Sequence, residues 1–270
     1  MIIFFIKSLV LGIIQGFAEF LPISSTAHLI LGANLLNLEM SEFLKSFIVI
    51  IQFGSILAVI ILYWKKLWNN KVIYFKKLMI AFIPTAIIGL LSYGLVKNFL
   101  QESLEIIALA LFLGGIAIVI LERKYQEKNR ELKDIQSNNF EVDISVMSYK
   151  QCFIVGIFQS LAIVPGVSRS AATILGGLSM GISRLIIVEF SFLLAIPTML
   201  AASSLDLVKT GFSFNLEEII FLIIGFVASF GVAWLSIRFL LKFIKKNNFS
   251  IFGWYRILLS VILFLLLYIF

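Results

Sequence analysis

Charge is scarce in this sequence: acidic and basic residues together make up 14% of its 270 positions, against 61% that are hydrophobic. With a mean hydropathy of +1.06, a soluble globule is excluded, because it could not bury so much apolar surface, and a polytopic membrane protein is left. Cysteine is nearly absent. The single Cys152 excludes an intramolecular disulfide and a cysteine-rich metal centre, and leaves the redox compartment open. The first apolar run, from MIIFFIK onward, lacks a basic leader and a small-residue cleavage site and carries Lys7, Gln15 and Glu19, so it is expected to be retained and not removed as a signal peptide. Gly176, Gly177 and Gly181 lack P-loop spacing and a following lysine, and read as close-packing glycines. The net charge of +7 falls in short loops between apolar runs and not on one long face, which points to membrane topology and to no nucleic-acid partner.

Crossing about 30 Å of hydrocarbon takes about 20 mainly apolar residues, and six stretches qualify: 44–64, 78–96, 104–121, 184–204, 217–241 and 252–270. The basic stretches KKLWNNKVIYFKK (65–77), ERKYQEKNRELKD (122–134) and KFIKK (242–246) alternate with acid-richer ones at 37–43, 97–105 and 206–218. The first set is expected on the cytoplasmic side. Regions 1–38 and 150–182 are also apolar, but each is cut by a proline, Pro22 or Pro165, followed by small polar residues.

The two halves of the chain resemble each other. GIIQGFAEFLPISSTAHLILG (12–32) aligns with GIFQSLAIVPGVSRSAATILG (156–176), with one single-residue gap before the proline pairing Gln15 with Gln159, Pro22 with Pro165 and Ser25 with Ser168. The chain thus divides into a first repeat at 1–121, a charged and flexible cytoplasmic linker at 122–149 and a second repeat at 150–270. Because three spans follow each proline-cut segment, the second repeat is expected to lie inverted relative to the first. The fold class expected is an all-α integral membrane protein of two inverted-topology repeats, each a re-entrant helical hairpin plus three transmembrane helices. From Thr26 to Leu38 the chain reaches only about 20 Å as helix, too short to cross. The tips at 22–28 and 165–170 are then expected to meet near mid-membrane, where irregular backbone requires shielding or a wet cavity. FIPTA (82–86) and AIPTM (195–199) are alike but out of register with the repeat, and the likeness reads as chance.

Chemistry concentrates at those tips. Gln15 and Glu19 are four apart and share a helix face. Ser24, Ser25 and Thr26 suit a helix N-cap, as do Ser168 and Ser170. Two converging helix N-termini attract an anion, and Arg169 adds a cation able to grip phosphate. Glu19 beside an anion implies a divalent metal or a proton. Blander readings compete: Glu19 and Arg169 as an ion pair bridging the hairpins, His28 as a packing histidine, and the hydroxyls as caps alone. Against the first stands the expense of mid-membrane charge, about 2.5–3.5 kcal/mol on insertion scales. Gln52 and Glu189 face the cavity or pair locally.

Taken together, Gln15 to Glu19, Pro22 to His28 and PGVSRSAAT at 165–173 resemble the undecaprenyl-diphosphate phosphatase family of bacterial bacitracin-resistance proteins, over essentially the whole chain. The resemblance implies an enzyme of the bacterial cytoplasmic (inner) membrane, its site facing outward. It would hydrolyse undecaprenyl diphosphate to the monophosphate carrier used for peptidoglycan and other wall polymers. It implies Glu19, Ser25, His28 and Arg169 as catalytic residues, Gln15, Ser24, Thr26, Ser168 and Ser170 as substrate-binding residues, and Mg2+ or Ca2+ held through Glu19. The family's first acidic position is Gln15 here, so a second carboxylate is missing. The expected partners are the diphosphate lipid, membrane lipids and a second copy in a homodimer. In the mechanism expected, Ser25 attacks phosphorus with His28 taking its proton, or water attacks directly. With His28 as the single histidine, a two-histidine phosphatase mechanism is excluded. A polyprenyl-phosphate or anion transporter, or a flippase, is the alternative, since broken helices meeting at the midplane are common in transporters.

Overall fold

Apolar composition and a scarcity of proline, four in the chain, predict long helices, and the computed structural model, which describes residues 2–95, 103–130, 143–210 and 214–269, is helical with no strand among them. Among the described residues six helices are long and apolar enough to span: α3 (Glu42–Asn69), α4 (Lys71–Leu95), α5 (Leu104–Arg130), α8 (Arg184–Thr210), α9 (Leu216–Ile244) and α10 (Ser250–Ile269). These are the six expected spans. Four shorter helices fill the proline-cut regions: α1 (Ile2–Ala18), α2 (Ser25–Leu35), α6 (Tyr149–Ser160) and α7 (Arg169–Ser179). At 11 residues each, α2 and α7 extend about 16 Å. Each packs against the helix before it, which makes two helical hairpins.

The hairpins exchange partners: α1 lies on α9, α6 lies on α4, and α5 pairs with α10. Glycine makes the first two contacts close. A Cβ at Gly16 would sit 2.5 Å from the Ser229 carbonyl oxygen, and one at Gly156 would strike the carbonyl of Ala81, so backbones meet there in the small-residue packing typical of membrane helices.

The basic stretches are more structured than expected. Helices α3 and α4 run through 65–77, leaving only Asn70 between them; the exposed Lys65, Lys71 and Lys76 lay their stems along apolar surface with their heads in water, whereas Lys77 is buried. Helix α5 continues to Arg130, so the expected linker starts as helix. Within it, buried Glu122 accepts from Arg184 Nε at 2.9 Å and from the Phe249 amide at 3.4 Å. The far end of the linker is also held. Tyr74 Oη donates to Asp143 at 2.8 Å and Lys77 Nζ to the Met147 carbonyl at 2.5 Å. Burial pulls the Asp143 carboxyl upward, but hydrogen bonds from the Ser145 hydroxyl and amide and from Tyr74 outweigh it and hold it below its usual range. Positions 131–142 of the linker, 97–102 of one acid-richer stretch and 211–213 of another lie outside the described residues.

The two Ile-Pro-Thr segments have a shared role that hydropathy does not reveal. Pro84 and Pro197 lie inside α4 and α8, and the following threonines meet one side chain: Gln159 Nε2 donates to Thr85 Oγ1 at 2.9 Å and to Thr198 Oγ1 at 3.1 Å. Chance does not describe that likeness.

Candidate active site

The hairpin tips are built alike. Pro22 and the Pro165–Gly166 pair interrupt the descending helices, and the returning helices start at matching serine caps. Ser24 (φ 74°) accepts from the Ala27 amide, and Ser168 (φ 70°) from the Ala171 amide. Positive φ at a non-glycine residue costs on the order of 1–3 kcal/mol and gathers at functional sites. This geometry corrects the alignment by one residue. Ser24, and not Ser25, is the counterpart of Ser168, an offset of 144 that also joins Gln15 to Gln159 without a gap. Ser25 then corresponds to Arg169, the first residue of its helix in each case.

Two buried links hold the tips together. Ser170 Oγ donates to the Leu21 carbonyl at 2.8 Å. From α10, the fully buried Arg256 reaches both tips, donating to the carbonyls of Pro22 (3.3 Å), Val167 (3.1 Å) and Gly166 (3.0 Å), and to Ala110 and Leu111 on α5. Its bonds are all to neutral carbonyls, so its positive charge stays under the tips. Two helix N-termini and two guanidinium groups therefore face one locus, which favours an anion.

Glu19 occupies the centre of that locus. It is 6% exposed, and its Oε2 accepts from Gln15 Nε2 at 2.9 Å and from Ser25 Oγ at 2.8 Å. Its Oε1 meets Arg169 Nη2 at 3.3 Å. The ion pair between hairpins is thus real, and it sits among chemistry-bearing groups. Arg169 is held by the Ser191 carbonyl at 2.7 Å, and Ser191 Oγ in turn receives the Thr173 hydroxyl at 2.6 Å. Ser168 and Ser170 hydroxyls lie 3.1 Å apart. Ser25 is half-buried and Thr26 is exposed, so the site opens through these two.

The spacing of His28 predicts a link to Ser25, but the structure makes none. Nδ1 lies 2.7 Å from the Ser24 carbonyl oxygen and Nε2 2.6 Å from Tyr255 Oη, with the two rings stacked at 5.6 Å. A carbonyl only accepts, so Nδ1 carries the proton and, in the neutral ring, Nε2 accepts from the tyrosine. Ser25 instead points its proton at Glu19. Glu189 does not join the site either; it pairs with Lys66 at 2.6 Å. Sequence reasoning missed Tyr255, Arg256, Ser191 and Thr173. Arg256 carried one legible signal, as the sole charge within the apolar run 252–270.

Metal-binding capacity is limited: no group of three or more His, Cys, Asp or Glu side chains forms a cluster among the described residues. The site does offer hard oxygens. Gln15 Oε1 is buried without a hydrogen-bond partner, as is Arg169 Nε, so next to the Glu19 carboxylate there is an unpaired acceptor for a cation and an unpaired donor for an anion. Magnesium is commonly bound by one or two protein oxygens plus phosphate oxygens, and the donor set fits that pattern.

The chain is similar to known proteins over nearly its whole length. The chain is 47% identical to an undecaprenyl-diphosphatase of Aquifex aeolicus, covering 95% of this chain and 96% of the relative. It is 44% identical to one from a Sulfurihydrogenibium species, covering 96% and 98%, and 44% identical to one from Campylobacter jejuni, covering 97% and 94%. The family model described as bacitracin resistance protein BacA matches residues 8–262. This integral membrane protein, with a buried Glu19–Arg169 pair where its two hairpin tips meet, belongs to the BacA bacitracin-resistance family.

Proposed function

We propose that this protein is an undecaprenyl-diphosphate phosphatase, releasing inorganic phosphate and undecaprenyl phosphate, the lipid carrier for wall polymers, and so opposing bacitracin. The observation that carries the chemistry is Ser25 Oγ donating to a carboxylate that stands opposite a buried arginine. Arg169, its Nε unpaired, and the helix N-termini at Ser24 and Ser168 bind the diphosphate oxygens. Ser25 Oγ attacks the terminal phosphorus, its proton passing to Glu19, and the bond from that phosphorus to the bridging oxygen breaks, so the polyprenyl monophosphate leaves. Water then cleaves the phosphoserine, releasing inorganic phosphate. His28, one turn along α2, supplies the second base once its Nε2 is freed from Tyr255.

Mg2+ or Ca2+ would be held by Glu19 and Gln15, and when bound it neutralises phosphoryl charge. The prenyl tail lies on apolar helix faces, at roughly 0.8 kcal/mol for each buried methylene. The hairpins are proposed to be re-entrant and inverted, as the reciprocal packing of α1 on α9 and α6 on α4 supports, with the site reached from the face opposite the basic stretches. The test is phosphate release from a long-chain polyprenyl diphosphate by detergent-purified protein, with added magnesium and with chelator. Metal-dependent release that disappears in Glu19→Ala and Arg169→Ala is the expected result; no release from folded wild type rejects the reading.

A further inference from the structure

Away from the hairpin tips, at the basic end of the molecule, α3, α8 and α9 line an open cavity of about 330 Å³, and none of its lining residues belongs to the site described above. Three of those residues are cations, Lys66, Arg238 and Lys245, and one is an acid, Glu189. Glu189 is committed to Lys66 at 2.6 Å. Neither Arg238 nor Lys245 has a carboxylate partner among the described residues; Arg238 lies over the Trp234 ring, 5.0 Å from its centroid. The cavity therefore carries an excess of positive charge. A second, independent observation points the same way: Tyr63 lines the cavity, is 6% exposed, and its hydroxyl is buried without a hydrogen-bond partner.

Those groups are donors, and a group made of acceptor oxygens with negative charge satisfies them together. Phosphate has that composition. The rest of the lining, including Leu185, Ile237 and Leu241, is apolar. The cavity also lies at the ends of spanning helices, since α3 stops at Asn69 and α9 at Ile244, the level at which basic pockets between helices take lipid head groups.

We propose that this cavity binds the phosphate of an anionic phospholipid of the leaflet at the basic end, at a site separate from catalysis. The test is thermal unfolding of the full-length protein in neutral detergent with phosphatidylglycerol, phosphatidylcholine or inorganic phosphate. It compares wild type with Arg238→Gln/Lys245→Gln and with Lys65→Gln/Lys76→Gln, which removes the same charge from exposed positions outside the cavity. Near saturation, phosphatidylglycerol is expected to raise the midpoint roughly 5 °C beyond phosphatidylcholine in wild type and in the control pair. At least half of that increment should vanish in Arg238→Gln/Lys245→Gln. Tyr63→Phe, which removes only the hydroxyl, should lose a smaller part. An increment equal in wild type and Arg238→Gln/Lys245→Gln, or none beyond phosphatidylcholine in wild type, overturns the site. A shift with inorganic phosphate alone, lost in the cavity variant, supports a phosphate site but overturns the lipid as its source.

Discussion

In both hairpin tips a serine with positive φ caps the returning helix, Ser24 before α2 and Ser168 before α7, yet the side chains around the two caps have gone separate ways. Gln15 donates to the carboxylate of Glu19, whereas its counterpart Gln159 donates to two threonines, and the position matching Glu19 is Ile163. Where the first tip starts its helix with Ser25, the second starts with Arg169. The two tips thus present matching helix N-termini with unlike groups, the acid and hydroxyl on one and the cation on the other. Neither tip is complete alone. The site exists because Arg169 crosses to Glu19 and Arg256 ties both turns.

Removing the charge asymmetry has the largest expected effect. Glu19→Ala or Arg169→Ala should lower phosphate release by about 100-fold or more, and each leaves a buried charge unpaired at about 3–5 kcal/mol of stability. The double variant separates the two effects: thermal unfolding should recover part of the loss while release stays absent. If release returned as well, the pair would be structural. Ser25→Ala should also cost on the order of 100-fold, and rapid-quench trapping should find phosphate on Ser25 in wild type. Substantial turnover by Ser25→Ala without a trapped adduct would assign the attack to water.

The paired glutamines sharpen the contrast. Gln15→Leu should weaken metal-dependent release by about tenfold, while Gln159→Leu should leave release nearly unchanged and lower stability by about 1 kcal/mol, since Thr85 and Thr198 each lose one hydrogen bond but still donate to the Gly156 and Leu194 carbonyls. Equal activity losses in both would mean that the second tip also takes part in the chemistry. Tyr255→Phe removes the hydroxyl that occupies His28 Nε2, so turnover should rise, by about five-fold at most, the equivalent of roughly 1 kcal/mol. Smallest are the caps. Ser24→Gly and Ser168→Gly each trade a hydrogen bond for relief of positive φ, so unfolding should move by only a few tenths of a kcal/mol at either tip. A large loss at one cap alone would break the equivalence of the tips.

The six spans, the two proline-cut hairpins and the serine caps were legible in the sequence, because each depends on hydropathy or chemistry within a few neighbouring residues. Glu19, Ser25 and Arg169 were legible as well, as polar groups too expensive to stand in an oily chain without purpose. Register was less secure. A gap that aligned the prolines shifted Ser25 onto Ser168, whereas helix capping pairs Ser24 with it, since a cap is defined by backbone geometry and not by residue type alone.

What the sequence by itself determined is the class of the protein, its helices and the inventory of reactive groups, all properties of local composition. Which of those groups meet was decided only by the tertiary structure. Arg256 reaches the Pro22 carbonyl across 234 positions and Tyr255 reaches His28 across 227, and the close approach of α5 and α10 to the tips that permits this leaves no periodic trace. The proton of Ser25 therefore points at Glu19 and not at the nearer histidine in sequence, because on a folded backbone hydrogen bonds follow distance in space.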